Sequence, residues 1–309
     1  MNGVLILDKP QNFTSFDAVA VMRKITGEKK IGHTGTLDPM ATGVLPLLLG
    51  RAAKAADLLP DTDKAYRAAF RFGIKTDTGD STGKITETEE SPVTEAALQD
   101  ILLLFQGEIE QIPPMYSAVS VNGQRLYKLA RQGIEIERAP RKVRIAELSL
   151  VSYEESSRTG VLAVSCSKGT YIRTLIEDIA AKLGTVGTMT ALRRTQACGF
   201  SAEEALTLEE IRMLATAKDL AAAKGLAGKI RPTDSLFAHL RGISVSAAQA
   251  ARFQNGGALA IERLKIPGMG CREGESLRIY TPQGEFLGLG QAELAAGEIK
   301  IQKLFMVKG

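Results

Sequence analysis

The segment Gly32 to Leu47, Gly-His-Thr-Gly-Thr-Leu-Asp-Pro-Met-Ala-Thr-Gly-Val-Leu-Pro-Leu, constrains the fold more than any other part of the chain. It sets one carboxylate, Asp38, in a loop rich in glycine and threonine. Proline disfavours helical backbone at the residue before it, so Pro39 biases Asp38 toward extended conformation. The apolar run Val44 to Leu49 follows directly and reads as a buried strand. Such a layout can hold an acidic side chain rigidly at the rim of a sheet. An isolated Asp-Pro more often caps its own turn, so this reading needs support from elsewhere.

Period-two alternation supplies a second strand at 65–73, with Tyr66, Ala68, Phe70 and Phe72 on one face and Arg67 and Arg71 on the other. Thr94 can cap a helix whose apolar stripe is Leu98, Ile101, Leu102 and Phe105, ended by Gly107. Residues 161–166 read as a strand, and after Thr170 a helix carries Ile172, Leu175, Ile176, Ile179 and Leu183, with Gly184 as its stop. Thr207 with Glu210 makes a capping box for another helix. The Ala-, Lys- and Gly-rich stretch 215–230 reads as the fraying end of that helix and a boundary. Beyond residue 240 a short helix at 245–254 leads into strands around 277–280, 286–290 and 299–305.

Residues 112–144 differ in texture. They hold Pro113-Pro114, an Asn122-Gly123 turn signal, and Arg125, Lys128, Arg131, Arg138, Arg141, Lys142 and Arg144, with Tyr116 and Tyr127 among them. A surface excursion of this kind suits a nucleic-acid backbone with bases stacked on aromatics. It equally suits a solvated charged hairpin. The net charge of +4 accommodates an anionic partner without requiring one.

Other chemistries are excluded more firmly. Cys166, Cys198 and Cys271 are odd in number and scattered, which argues against a disulfide framework and for reduced thiols in the cytoplasm. His33 and His239 stand far apart without cysteine neighbours and do not make a usual zinc site. There is no P-loop or dinucleotide fingerprint. The apolar stretch at residues 4–7 is too short for a signal-peptide core, and none is long enough to span a membrane. The 309 residues suffice for one large and one small domain. No extended apolar surface is marked, so a monomer without cofactor or metal is expected.

Three ordered stretches then carry a resemblance: Leu7-Asp8-Lys9-Pro10, Lys29 to Pro39, and Ala41-Thr42-Gly43-Val44-Leu45-Pro46. Together they strongly resemble the TruB family, tRNA pseudouridine synthases that modify the uridine at position 55 in the T-arm loop. The resemblance implies an α+β pseudouridine-synthase fold with a mixed, largely antiparallel central sheet and flanking helices. It implies a catalytic domain over 1–235, with a thumb-like insertion at about 112–144 that closes over the T-arm. Residues 240–309 resemble, more loosely, a small β-rich PUA-like RNA-binding domain.

Asp38 matches the family's catalytic aspartate, and a carboxylate is a reasonable nucleophile for a covalent step. Arg173 lies in the first turn of its helix, where the dipole disfavours a cation. That position calls for an anionic partner: either Glu177 four residues on or, by the match of Lys168 to Thr174 with the family's arginine motif, Asp38. Tyr66 matches the active-site tyrosine, which stacks on the base and is the candidate acceptor of the C5 proton. Tyr171 and Leu192 match positions lining the base pocket, and His33 matches a histidine thought to intrude into the T-loop. Lys9 sits in the Asp8-Lys9-Pro10 motif, with a structural or phosphate role. Arg125, Lys128, Arg141, Lys142 and Arg144 are the expected RNA-backbone contacts.

Departures from the family pattern are few. Arg51-Ala52-Ala53-Lys54 replaces the usual Glu-Ala-Thr-Lys, and Ala65 is often Arg. Two other readings stay open on the residues alone. One is a tRNA-binding or folding protein on the same scaffold. The other is a glycosidic-bond hydrolase pairing Asp38 with a second carboxylate such as Asp8, Asp77 or Asp80.

Overall fold

Alternation and apolar runs lay down one nine-stranded sheet in the computed structural model, which describes residues 1–59, 63–117, 119–121, 123–216, 220–264 and 270–306. Its strands run in the order Gly3–Lys9, Thr42–Leu49, Gly187–Ala197, Lys64–Phe72, Thr159–Cys166, Arg141–Glu154 and Gly107–Gln111. Ile31–His33 pairs beside Thr42–Leu49, and Phe200–Ser201 beside Gly187–Ala197. Every pairing is antiparallel except one: Thr42–Leu49 meets Gly187–Ala197 in parallel, through Arg193↔Thr42 and Arg194↔Gly43. The sheet is therefore mixed and largely antiparallel, as expected.

Tyr66, Ala68, Phe70 and Phe72 are all buried, and Arg67 and Arg71 are exposed, as period two requires. The buried face packs under helices Ser15–Thr26, Glu95–Leu102, Ile172–Lys182 and Leu208–Thr216. Thr94 accepts from Ala97 N, and Thr207 and Glu210 complete their capping box. Gly107 does not merely end a helix. It opens an edge strand at φ 93° after a short 3-10 turn, Leu103–Phe105.

Two expectations are corrected. The stretch read as a fraying end contains a second helix, Leu220–Lys229, lying against Leu208–Thr216. Its alanine content is strongly helix-forming and outweighs the two glycines. The basic excursion also ends earlier than residue 144, because Arg141 already begins a central strand. The excursion itself is a short hairpin, Ser120–Val121 with Gln124–Arg125, and a helix, Leu126–Ala130. Asn122 of the expected turn lies outside the described residues, and Gly123 has a left-handed φ of 79°.

The C-terminal segment forms a five-stranded sheet: Gly242–Ser244, Ser276–Tyr280, Phe286–Glu293, Glu298–Leu304 and Leu259–Ala260, in that order. The first and last of these were too short to be read from alternation. Phe237, Leu289 and Phe305 join Val4, Ile6, Val44 and Leu48 in one apolar cluster on the other face of the large sheet. The strands Gly3–Lys9 and Thr42–Leu49 are thus buried on both faces, and their apolar runs are continuous rather than alternating.

The parallel junction depends on Gly43. Its φ is 103°, and a Cβ there would sit 2.1 Å from the Arg194 carbonyl oxygen. Gly43→Ala is expected to destabilise the protein by about 3 kcal/mol or more. Urea denaturation measures this, and wild-type stability would contradict the close approach.

Candidate active site

The Asp38 loop is pinned almost residue by residue. Leu37 N donates to Ser15 Oγ at 2.9 Å, Asn12 N to the Pro39 carbonyl at 2.8 Å, and Ala41 N to the Asp38 carbonyl at 3.0 Å. Leu37, Met40 and Ala41 are buried around them. Lys9, fully buried, donates from Nζ to the carbonyls of Phe13 (2.6 Å), Pro10 (2.9 Å) and Pro39 (3.5 Å). All three of these contacts are to backbone carbonyls of the loop and its neighbours. Burial pushes the Lys9 pKa down to about 8, against the opposing pull of Asp38.

The Asp38 side chain is not part of this packing and is 39% exposed on a loop whose backbone is hydrogen-bonded on both sides of it. Arg173 Nη2 lies 3.1 Å from its Oδ2 and Arg173 Nη1 lies 3.6 Å from Asp80 Oδ2. The guanidinium also donates to the carbonyls of Thr78 (2.9 Å) and Tyr116 (2.8 Å). The anionic partners that the helix start demanded are therefore Asp38 and Asp80. Glu177 is not among them.

Desolvation raises the pKa of Asp38, Arg173 lowers it, Asp80 raises it and Lys9 lowers it, with a net upward shift. Two carboxylates facing one guanidinium leave the trio with net charge −1, so Asp38 is held ionised without being fully neutralised.

Tyr66 stands on the next strand but one, buried and directly opposite Arg194. Burial raises its pKa and the Arg194 guanidinium lowers it, with a net upward shift. Leu192 lies on the same face, opposite Ala68, and is buried. Tyr171 caps the helix that carries Arg173, and Gln111 holds it there: Tyr171 N donates to Gln111 Oε1 at 3.0 Å, and Gln111 Nε2 donates to the Tyr171 carbonyl at 3.3 Å. His33 ends the strand Ile31–His33. Burial, then Arg194, push its pKa below 6.5, so the ring is neutral at physiological pH.

The expected RNA-backbone set is dispersed. Arg125 and Lys128 are exposed on the excursion. Arg141 shares a face with Val143 and Ile145, which by register is the Tyr66 side. Lys142 and Arg144 point the other way, opposite Glu110 and Glu108, and cross-strand pairs of this kind offset charge.

Sequence reading singled out neither Asp80 as a counter-ion nor Arg194 and Gln111. Asp80 lies in the turn 76–80, where Thr78 Oγ1 (2.9 Å) and Thr82 N (3.0 Å) hold its Oδ1 and free Oδ2 for Arg173. The signal was present in that turn, but only the fold joins it to residue 173. A cleft of about 480 Å³ beside Asp8 and Arg193 includes none of Asp38, Tyr66 and Arg173. Among the described residues no group of three His, Cys, Asp or Glu side chains is arranged to hold a metal ion.

Removing either end of the ion-pair network should have unequal effects. Arg173→Met strands buried Asp80 and is expected to cost about 3–5 kcal/mol. Asp38→Asn leaves Arg173 its other three partners and is expected to cost about 1 kcal/mol or less. Urea melts compare them, and equal losses would contradict the network as drawn.

Comparison with known proteins identifies the family. Residues 23–172 match the model described as TruB family pseudouridylate synthase (N terminal domain), and residues 173–238 match the tRNA pseudouridylate synthase B C-terminal domain. The chain is 44% identical over 293 residues to tRNA pseudouridine synthase B of Aromatoleum aromaticum, covering 95% of this chain and 89% of that protein. It is 40% identical to the protein of the same name from Hydrogenovibrio crunogenus, covering 99% and 94%. A solved Cbf5-Nop10-Gar1 complex contains a chain that superposes with a TM-score of 0.74 at 26% identity, covering 99% of this chain and 85% of that one. The chain belongs to the TruB family of pseudouridylate synthases.

Proposed function

We propose that this protein isomerises a uridine of tRNA to pseudouridine, at position 55 in the T-arm loop, with Asp38 as the nucleophile. The observation that carries this reading is the exposed Asp38 carboxylate, 3.1 Å from a buried arginine on an otherwise immobilised loop. The reaction breaks the C1′–N1 bond, turns the uracil over and joins its C5 to C1′. It needs a nucleophile, a proton acceptor for C5–H and a closed pocket, all of which side chains can supply. Arg173 keeps the nucleophile charged and aimed.

The target base must leave the stack, at a cost of a few kcal/mol. His33, neutral and at the end of a fixed strand, is suited to fill the vacated space. Tyr66 stacks on the flipped uracil and its oxygen accepts the C5 proton, while Tyr171 and Leu192 line the pocket. An enclosed Asp80, saturated by its own turn and by Arg173, serves as a counter-ion. That favours the isomerase over a hydrolase with two working carboxylates.

Arg125, Lys128 and Arg141 are assigned to the RNA backbone, with Lys142 and Arg144 contributing less because of Glu108 and Glu110. Residues 1–235 form the catalytic domain in this reading. Residues 240–309 act as a second, PUA-like RNA contact in a cytoplasmic monomer.

Tritium release from C5-labelled uridine in an unmodified tRNA transcript tests the assignment. Wild type should release one tritium per tRNA at the T-loop site, and Asp38→Asn should bind tRNA and release none. Tight binding without release by wild type would favour an RNA-binding role instead, and free uracil among the products would favour a hydrolase. Affinity should fall with salt, since each phosphate contact contributes about 0.7–0.9 to the log–log slope. Arg125→Ala with Lys128→Ala should flatten that slope by more than Lys142→Ala with Arg144→Ala. The reverse ranking would contradict the register argument.

A further inference from the structure

The mechanism above leaves one charge unused. Arg194 is completely buried, the largest side chain among the described residues to be so. Its Nε donates to the Val44 carbonyl at 2.7 Å and its Nη2 to the Gly35 carbonyl at 3.2 Å. These carbonyls lie on either side of Asp38 in sequence, three residues before it and six after. One planar fork thus ties together the two arms of the catalytic loop. Its third arm, Nη1, is buried and has no hydrogen-bond acceptor among the described residues. A buried guanidinium N–H without a partner is costly, by about 1–3 kcal/mol, and asks for a reason.

Register supplies one. Arg194 is directly opposite Tyr66 on the neighbouring strand and shares its face, which brings the two side chains within contact range. The groups around this pair are of mixed sign. Tyr66 is faced by Arg194, Cys166 and Asp38. Arg194 is faced in addition by Cys198, Lys9, His33 and Lys64. Asp38 is engaged by Arg173, and burial keeps the Cys166 thiol protonated, its pKa pushed up to about 11. Among these neighbours, the Tyr66 oxygen is where a negative charge could be offered to Nη1.

We propose that Arg194 is a positioning residue for proton removal: it clamps both arms of the Asp38 loop and reserves one N–H for the Tyr66 oxygen in its anionic form. This deepens the isomerase reading and rests on it. In the step concerned, the C5–H bond breaks and its proton passes to the Tyr66 phenolate, giving the phenol. The electron pair forms the C5=C6 double bond, the C6=N1 π pair moves onto N1, and N1 takes a proton from water, whose hydroxide takes the phenol proton and restores the phenolate. Tyrosine is a weak candidate for such a base because its usual pKa is about 10 and burial raises it further. A fixed cation within hydrogen-bonding reach of the oxygen opposes that rise, and the Nη1 N–H gains a charged acceptor when the phenolate forms.

The test uses full-length protein with ¹³Cζ-labelled tyrosine, Arg194→Gln, Arg194→Lys, and each variant combined with Tyr66→Phe. In Arg194→Gln the Tyr66 resonance should titrate at higher pH than in wild type, with Arg194→Lys in between. Tritium release from bound tRNA should slow at least about tenfold at neutral pH, a shift of one pKa unit or more. The loss should shrink as pH rises, and tRNA affinity should not change. In the Tyr66→Phe background, Arg194→Gln should add no further loss.

An unmoved Tyr66 titration, or additive losses, would overturn the proposal and leave a purely structural arginine. Should Arg194→Gln fail to fold, the wild-type protein still decides. The Arg194 Nη resonances should follow the Tyr66 titration with a shared midpoint, and independent midpoints would overturn the proposal. The titrations need no substrate, so a wild type that releases no tritium would sink the isomerase reading separately.

Discussion

The guanidinium of Arg173 stands between two carboxylates from distant parts of the chain, and the site depends on it. Asp38 arrives on the loop before Thr42–Leu49, Asp80 on a turn after Lys64–Phe72, and Arg173 at the start of a helix whose dipole opposes a cation. Each of these placements is unfavourable alone: a cation at the positive end of a helix, a buried acid, and an acid beside another acid. Together they compensate one another. The residual negative charge falls on the one member that solvent can reach, which is Asp38.

That arrangement requires a scaffold that does not give. Lys9, Ser15 and Arg194 tie down the loop from three directions, using backbone carbonyls and an amide, and none of the three bonds uses the Asp38 carboxylate. The parallel junction at Gly43 brings Arg194 close enough to do so. Burial of the Thr42–Leu49 strand on both faces, under the helices and against the C-terminal sheet, removes the freedom of the loop to shift. Preorganisation of this kind is how a static set of dipoles and charges contributes to a rate.

Much of this could be read from residues. Alternation in 65–73, the caps at Thr94 and Thr207, and the stop at Gly184 all rest on local rules, and local rules were enough. The motif around Asp38 and the oddly placed Arg173 could also be read, because a cation at a helix start announces a missing partner. What stayed hidden was pairing across the chain. Asp80 looks like any turn aspartate until the fold sets it against Arg173, and Gln111 looks like a strand residue until it caps Tyr171. Arg194 follows Arg193 in sequence, yet alternation buries one and leaves the other partly exposed with Asp8. The helix at 220–229 was missed because its glycines and lysines outweighed its alanines in a reading by texture. The basic excursion was drawn too long for a similar reason, since charge density does not mark where a strand begins.

The most direct test of the ion-pair account is the titration of the Asp38 carboxyl carbon by NMR in wild type and Arg173→Gln. In wild type the midpoint should lie above that of an ordinary aspartate, because burial outweighs the pull of Arg173. Without the guanidinium that pull is gone while Asp80 remains, so the midpoint should move higher still. A midpoint that stays in place or falls would show that Arg173 does not hold Asp38 in its charged form.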